Sequence, residues 1–266
     1  GLAYRRTEFL AARRNSRDHP RYHRTGAGTE MSEQRALLCD TAEAVFAEAV
    51  VEGMAPIEAA GFDQLLVPEA EGGFGGDWGD LFAVLRIAGA KVPHLAVGER
   101  IVGGEISRPI GAFIRVAQAA GAMDAALAMS IDYVNTRQQF GKALGKFQAV
   151  QQVLAIFAVE AAAVNVAGAA AAAALDKAGG DAEQALFEIA AAKLRTNKAI
   201  GQATSIAHQV HGAIGFTREY DLHKLTGPLL DWRSDHGNDA YWADLLGAMA
   251  ADLGGVGLWH EVTRRG

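Results

Sequence analysis

Residues 110–136 read IGAFIRVAQAAGAMDAALAMSIDYVNT, and the reading of this stretch decides the fold. Ile110, Ile114, Ala117, Leu127, Ile131 and Val134 return to one side at helical intervals, and no proline follows Pro109 within the run. Carried to Thr136, such a helix is roughly 40 Å long at about 1.5 Å per residue. Gly141 and Gly145 then punctuate the chain. A second apolar run over residues 147–177 is helical in spacing and ends at Gly179 and Gly180. Asp181 is the expected cap of a third helix, which carries Leu186, Ile189, Ala190, Leu194, Ala199, Ile206 and Val210 and stops at Gly212 and Gly215. A last helix is expected from near Asn238, carrying Tyr241, Leu245, Leu246 and Met249. Alanine and glycine fill the facing stripes, so neighbouring helices can approach closely. The expectation is an all-α chain with an antiparallel four-helix bundle over residues 110–260.

The front of the chain is expected to add a partial helical domain over residues 31–105. Leu37, Leu38, Ala42, Val45, Phe46 and Ala49 suit an amphipathic helix over residues 32–60 with Ser32 as N-cap. Pro68 and the glycines of residues 61–76 forbid a regular helix there. Helical spacing resumes over residues 80–92 through Leu81, Val84, Leu85 and Ala88, and residues 98–109 read as a joint. Residues 1–30, with seven arginines and two histidines, have almost no apolar periodicity and read as an unpacked basic lead.

The 266 residues are 50% hydrophobic and 21% charged, enough for one or two domains with a substantial core. A net charge of −6 argues against broad contact with a phosphate backbone, so nucleic acid is not an expected partner. The single cysteine, Cys39, offers no internal disulfide and no Cys-based zinc site, which fits a reducing compartment. A cytoplasmic location is expected, and the early arginines do not read as a secretory signal. Residues 153–175 are apolar but mostly alanine, with Glu160 and Asn165 near the middle, and read as a buried helix of a soluble protein rather than a membrane span.

Several chemistries find no footing in the sequence. A di-metal bundle needs Glu-x-x-His pairs on facing helices; Glu219 with His223, and His208 with His211, lack such counterparts, and no metal is expected. Gly141-Lys142-Ala143 lacks the earlier glycine and the hydroxyl of a phosphate loop. Two segments remain. Arg137-Gln-Gln-Phe-Gly141 presents a planar guanidinium beside a glycine turn, next to the helix start at Phe147-Gln148, which suits an anionic group such as a pyrophosphate. Gln209-Val-His-Gly-Ala-Ile-Gly-Phe216 places glycines at a helix end, where a ligand backbone can come close. A solvated turn and an ordinary helix cap are the competing readings. Trp232, Tyr241 and Trp242 read as core, and Lys193, Arg195 and Lys198 as a solvated helix face.

From Met31 onward the sequence resembles the acyl-CoA dehydrogenase family. The front matches are Gly61-Phe, Leu66-Val-Pro-Glu and Gly72-Gly-Phe-Gly-Gly. The rear matches are Asp132-Tyr, Arg137-Gln-Gln-Phe-Gly-Lys, Phe147-Gln-Ala-Val-Gln and Gln209-Val-His-Gly-Ala-Ile-Gly-Phe-Thr-Arg-Glu-Tyr220. The resemblance implies FAD held between subunits and α,β-dehydrogenation of an acyl-CoA thioester, with electrons passed to a flavin electron acceptor protein. It implies a homo- or hetero-oligomer. By position, Arg137, Gln139 and Phe140 would approach the FAD diphosphate and Gln148 the adenosine end. Gln209 and Gly212, with His211 between them, would approach a cofactor held mainly by a neighbouring subunit. Asn238 is carried over as a further cofactor contact.

Two departures from the family pattern stand out. The middle β domain is absent, because only a few residues separate Glu105 from Ile110. The catalytic glutamate of many relatives falls on His236, and the alternative family position falls on Gly111. Asp235 is the nearest substitute base, with Glu105 a second acid close in sequence. Gly227 and Pro228 stand where relatives commonly keep arginine. Two roles therefore stay open: a dehydrogenase subunit, or a non-catalytic or inactive member that completes an FAD site in a hetero-oligomer.

Overall fold

The computed structural model describes residues 26–265. The basic lead falls almost wholly outside them. Nine α-helices follow in order among the described residues: α1 (Gly26–Glu52), α2 (Ala55–Ala59), α3 (Trp78–Lys91), α4 (Val97–Val102), α5 (Arg108–Thr136), α6 (Gln148–Lys177), α7 (Leu186–His211), α8 (Leu222–Trp232) and α9 (Asp239–Arg265). The only strands described are the two-residue pieces β1 (Gln138–Gln139) and β2 (Lys142–Ala143).

Three long bundle helices, α5, α6 and α7, pack against one another through short connections, so consecutive members run antiparallel. α3 lies against α5 and α6, while α8 and α9 pack on α7, and α8 also meets α5. α5 is the central member: Phe113, Ile114, Val116 and Met123 are all buried. Phe46 of α1, Phe62 of the turn after α2 and Phe82 of α3 join Phe113 and Phe157 in one continuous apolar core. The all-α class and the rear bundle therefore stand as the sequence implied.

α3 and α5 touch backbone to backbone. A Cβ on Gly89 would lie 1.9 Å from the Gln118 carbonyl oxygen, and one on Gly121 would lie 1.7 Å from that of Arg86. Each helix thus supplies one glycine to admit the other's main chain, a separation that any larger residue forbids. Asp77 caps α3: its carboxylate accepts from Asp80 N at 2.6 Å, and the Asp80 carboxylate accepts from Asp77 N at 3.2 Å.

Several expectations need correction. α1 begins at Gly26, so Ser32 is interior rather than a cap, and the helix ends at Glu52 because Gly53 turns to φ 72°. Residues 98–102 of the expected joint belong to helix α4, where Gly98 lets the Ile114 side chain pack directly on its backbone. α8 fills a stretch to which the sequence pattern assigns no helix. Asp181 caps only the turn before α7, accepting from Glu183 N at 2.9 Å, and the helix itself starts at Leu186. Lys193 is buried, not solvated. Residues 153–175 are helical, yet α6 is mostly exposed rather than buried. α5 and α6 are both long and apolar enough to cross a membrane by length and composition alone, but α5 is core.

Candidate functional site

The chain leaves α5 through a two-residue hairpin. Gln138 pairs with Ala143 and Gln139 with Lys142, leaving Phe140 (φ 52°) and Gly141 (φ 78°) at the tip. Two successive positive φ values are what a tight hairpin requires, and phenylalanine is a costly residue to hold there. The Phe140 side chain is 90% exposed and meets Phe147 edge-on at 6.3 Å. Lys142 Nζ sits 4.2 Å from the centre of the Phe147 ring.

This hairpin forms one wall of a groove of about 680 Å³. Arg137 and Gln139 line it on that side, the first turns of α6 supply Ala149, Val150 and Val153, and the end of α7 supplies Gln209, His211 and Gly212. Arg137 N donates to the Tyr133 carbonyl at 2.8 Å, which fixes the residue as the last turn of α5 opens. Its guanidinium has no ion-pair partner among the described residues, and no carboxylate lines the groove. The lining is apolar save for that one cation, two amides, Tyr133 and an imidazole, so it selects for anionic groups.

Tyr133 and His211 line the groove, and Tyr220 packs against both. The Tyr133 and His211 rings stack at 4.6 Å. His211 Nδ1 donates to the Ala207 carbonyl at 2.7 Å, so Nε2 accepts from the Tyr220 hydroxyl at 3.1 Å. Burial holds this imidazole below the usual histidine value, the Ala207 bond opposing it only in part. Tyr220 is pushed up by burial. His211 is therefore neutral at pH 7, and Arg137 remains the groove's charge.

Past Gly212 the groove shares residues with a second depression, lined among others by His208, Phe216, Leu230 and Arg233. That one in turn shares Leu230 and Arg233 with a depression reaching Ser234 and Asn238. A track of adjoining hollows thus runs from Arg137 toward the turn at residues 233–238. At its far end Arg108, His236, Asn238 and Tyr241 surround a further hollow, where the Arg108 guanidinium stacks 4.6 Å from the Tyr241 ring centre. Asn238 Oδ1 accepts from Tyr241 N at 3.0 Å and so caps α9.

The turn itself is held from inside. Lys193 Nζ donates to the Trp232 carbonyl at 2.5 Å and to Asn197 Oδ1 at 2.8 Å. Trp242 Nε1 donates to the Gly237 carbonyl at 3.2 Å. Asp235 accepts from Arg115 Nε at 3.0 Å, and the same guanidinium reaches Glu99 at 2.6 Å and Gln118 at 2.7 Å. His236, at φ 56°, turns its ring onto Gly111: a Cβ there would lie 2.3 Å from His236 Nδ1.

The structure therefore gathers Arg137, Gln139, Gln209, His211 and Gly212 into one groove. Gln148 is exposed at the head of α6, and Phe140 stands at the hairpin tip; neither lines it. Asn238, His236 and Asp235 lie together at the other end of the track. Glu105 is exposed in the α4–α5 loop. Sequence reasoning gave no role to Tyr133 or Arg115. Tyr133 was legible as a residue one helical turn before Arg137, whereas the Arg115 hub joins residues too far apart in sequence to pair by inspection.

Residues 110–228 match the family model described as "Acyl-CoA dehydrogenase, C-terminal domain". Over those residues the chain is similar to the C-terminal domain of the acyl-CoA dehydrogenase family. It is 34% identical over 131 residues to glutaryl-CoA dehydrogenase of Desulfococcus multivorans, covering 48% of this chain and 32% of that protein. It is 34% identical over 161 residues to acyl-CoA dehydrogenase FadE34 of Mycobacterium tuberculosis, covering 59% of this chain and 20% of that protein. The chain thus spans a third or less of these relatives. A solved chain of a variant Tcur3481-Tcur3483 steroid ACAD shares the fold at TM-score 0.70 and 16% identity, over 83% of this chain and 98% of that one.

Proposed function

We propose that this chain is an acyl-CoA dehydrogenase-like subunit whose groove at Arg137 holds the diphosphate of FAD, within an oligomer that dehydrogenates an acyl-CoA thioester between its α and β carbons. The observation that carries the reading is the meeting of the α5 hairpin and the α7 end around one guanidinium that has no ion-pair partner among the described residues. Gly212, at φ 63°, has nothing within 4 Å of its missing Cβ, so a phosphate can approach its main chain. The donor set suits an anion, and no residue in it repels one. FAD bound there would supply a hydride acceptor for the β carbon, and the reaction would need a carboxylate to take the α proton. A flavin-containing acceptor protein would then receive the electrons, and a cytoplasmic setting suits the single cysteine.

A second reading concerns the proton. The positions where relatives carry a base hold Gly111 and His236, and Asp235 is bound to Arg115. Its Oδ2 faces the Arg115 guanidinium at 3.0 Å and Asp235 lines none of the hollows described above. This favours a subunit that completes the cofactor site while a family-related partner supplies the base and the missing β wall.

Purification of the full chain, alone and with candidate partner subunits, tests both. Yellow colour that depends on Arg137, in either preparation, supports the groove assignment; colour unchanged in Arg137→Ala overturns it. Bleaching by an acyl-CoA thioester in the chain alone would overturn the partner reading.

A further inference from the structure

The hollow at the far end of the track, about 500 Å³ in volume, is lined by Arg108, Ser234, His236, Gly237, Asn238 and Tyr241. None of these is an acid. The carboxylates beside it on the chain are already taken: Asp235 pairs with Arg115 at 3.0 Å, and Asp239 with Arg233 at 2.7 Å. Glu105, exposed in the α4–α5 loop, forms no ion pair with Arg108. The Arg108 guanidinium is thus left without a counter-ion among the described residues, its one recorded contact being the Tyr241 ring.

That contact holds the guanidinium in place. Its carbon lies 4.6 Å from the centre of the Tyr241 ring, and Tyr241 meets the fully buried Trp242 edge-on at 4.9 Å. Trp242 is itself anchored, through Nε1, on the Gly237 carbonyl at 3.2 Å. A guanidinium laid on an aromatic face keeps its N–H donors at its rim, free to bond in its own plane. A loose surface arginine loses rotamer freedom on binding, whereas this one has part of that cost removed in advance.

Neutral donors stand beside the cation. Asn238 spends Oδ1 on Tyr241 N at 3.0 Å, so the donating Nδ2 is what its side chain has left to offer. Arg108 is also the first residue of α5, a helix start that the Ser107 side chain does not cap. His236 is held below the usual histidine value, chiefly by burial, so it adds no second charge at pH 7. One cation with neutral donors matches a carboxylate, which a planar fork meets through two parallel bonds. A phosphate dianion would bring a second charge that nothing lining the hollow neutralises.

We propose that the Arg108–Tyr241 hollow binds a carboxylate, borne by the end of an acyl chain or by a free organic acid, with Arg108 as the ionic partner and Asn238 as a neutral donor. The proposal is independent of the flavin reading, since Arg108 lines no part of the groove at Arg137.

Amide NMR spectra of the full chain, titrated at constant ionic strength with adipate, adipoyl-CoA, hexanoyl-CoA and inorganic phosphate, test it. Adipoyl-CoA should shift the amides of residues 236–241, and hexanoyl-CoA, of equal chain length without the terminal carboxylate, should not. Adipate binding as tightly as adipoyl-CoA identifies a free acid as the ligand; a preference for adipoyl-CoA of about tenfold or more identifies an acyl-chain end. Arg108→Met should weaken carboxylate binding about tenfold or more, and Arg108→Lys should recover only part of the loss. Tyr241→Leu, which keeps the charge and removes its support, should weaken binding severalfold. Both positions are exposed, so the circular dichroism of each variant should match the wild type. Shifts that persist undiminished in Arg108→Met overturn the proposal, as do hexanoyl-CoA or phosphate acting as strongly on the same amides. So does the absence of any shift there with both carboxylates.

Discussion

The imidazole of His236 occupies the space that a side chain at position 111 would fill: Nδ1 lies 2.3 Å from the Cβ that Gly111 lacks. Two residues 125 positions apart in sequence are thus one steric unit, and each constrains what the other can be.

Gly111→Ala should accordingly displace the His236 ring and cost about 1–3 kcal/mol of stability, the usual range for inserting a methyl group into a packed site. His236→Ala should remove that penalty in the double variant. Urea unfolding of the four proteins in a double-mutant cycle measures the coupling. Additive effects would show that the ring has room to move aside at no cost.

Arg137→Ala should lower FAD affinity by about tenfold or more, since charge-assisted bonds contribute roughly 1.5–3 kcal/mol. Helicity should not change, because the side chain is exposed. Arg137→Lys should recover only part of the loss, as a point charge lacks the planar fork. Flavin fluorescence titration reads all three.

Lys193 should make stability rise with pH in the alkaline range. Burial lowers its pKa from 10.5 to about 8, with Asp235 opposing and Arg115 adding to the shift. Between those values the unfolded chain holds the proton and the folded chain does not, so folding is favoured as pH increases. The relief amounts to on the order of 3 kcal/mol once both states are neutral. The difference in unfolding free energy between wild type and Lys193→Met, measured at about pH 7.5 and again at about pH 10.5, isolates this contribution. A difference that stays constant with pH would refute it.

The histidines give a pH dependence of the same sign at lower pH. His208, His211 and His236 are all held below the usual value, burial being the largest cause in each. The unfolded chain therefore takes up protons near pH 6.5 before the folded chain does, and stability is lost as pH falls below that point. Replacing His236 with alanine should shrink the acid-side slope of a thermal melting series.

The long helices were legible because their apolar periodicity runs for many turns. Arg137 and Gly212 were legible as a cation beside a turn and a glycine at a helix end, though their meeting in one groove depends on how α5 and α7 pack. What stayed hidden has a physical reason in each case. α8 contains Gly227 and Pro228, which local propensity reads as breakers, yet burial of Leu222, Leu225, Leu229 and Trp232 along one face outweighs them. Lys193 looked solvated beside Arg195 and Lys198 because no pattern announces that a backbone carbonyl, that of Trp232, waits beneath it. Asp235 looked available because its guanidinium partner lies 120 residues earlier.

The reciprocal glycine contact between α3 and α5 fixes these two helices independently of the chain that joins α4 to α5. Because the two helices are clamped main chain to main chain, their mutual position owes nothing to the few residues that link α4 to α5. A whole module spliced into that link, or excised from it, would leave the clamp untouched. The link is thus a segment whose length the α3–α5 contact does not dictate.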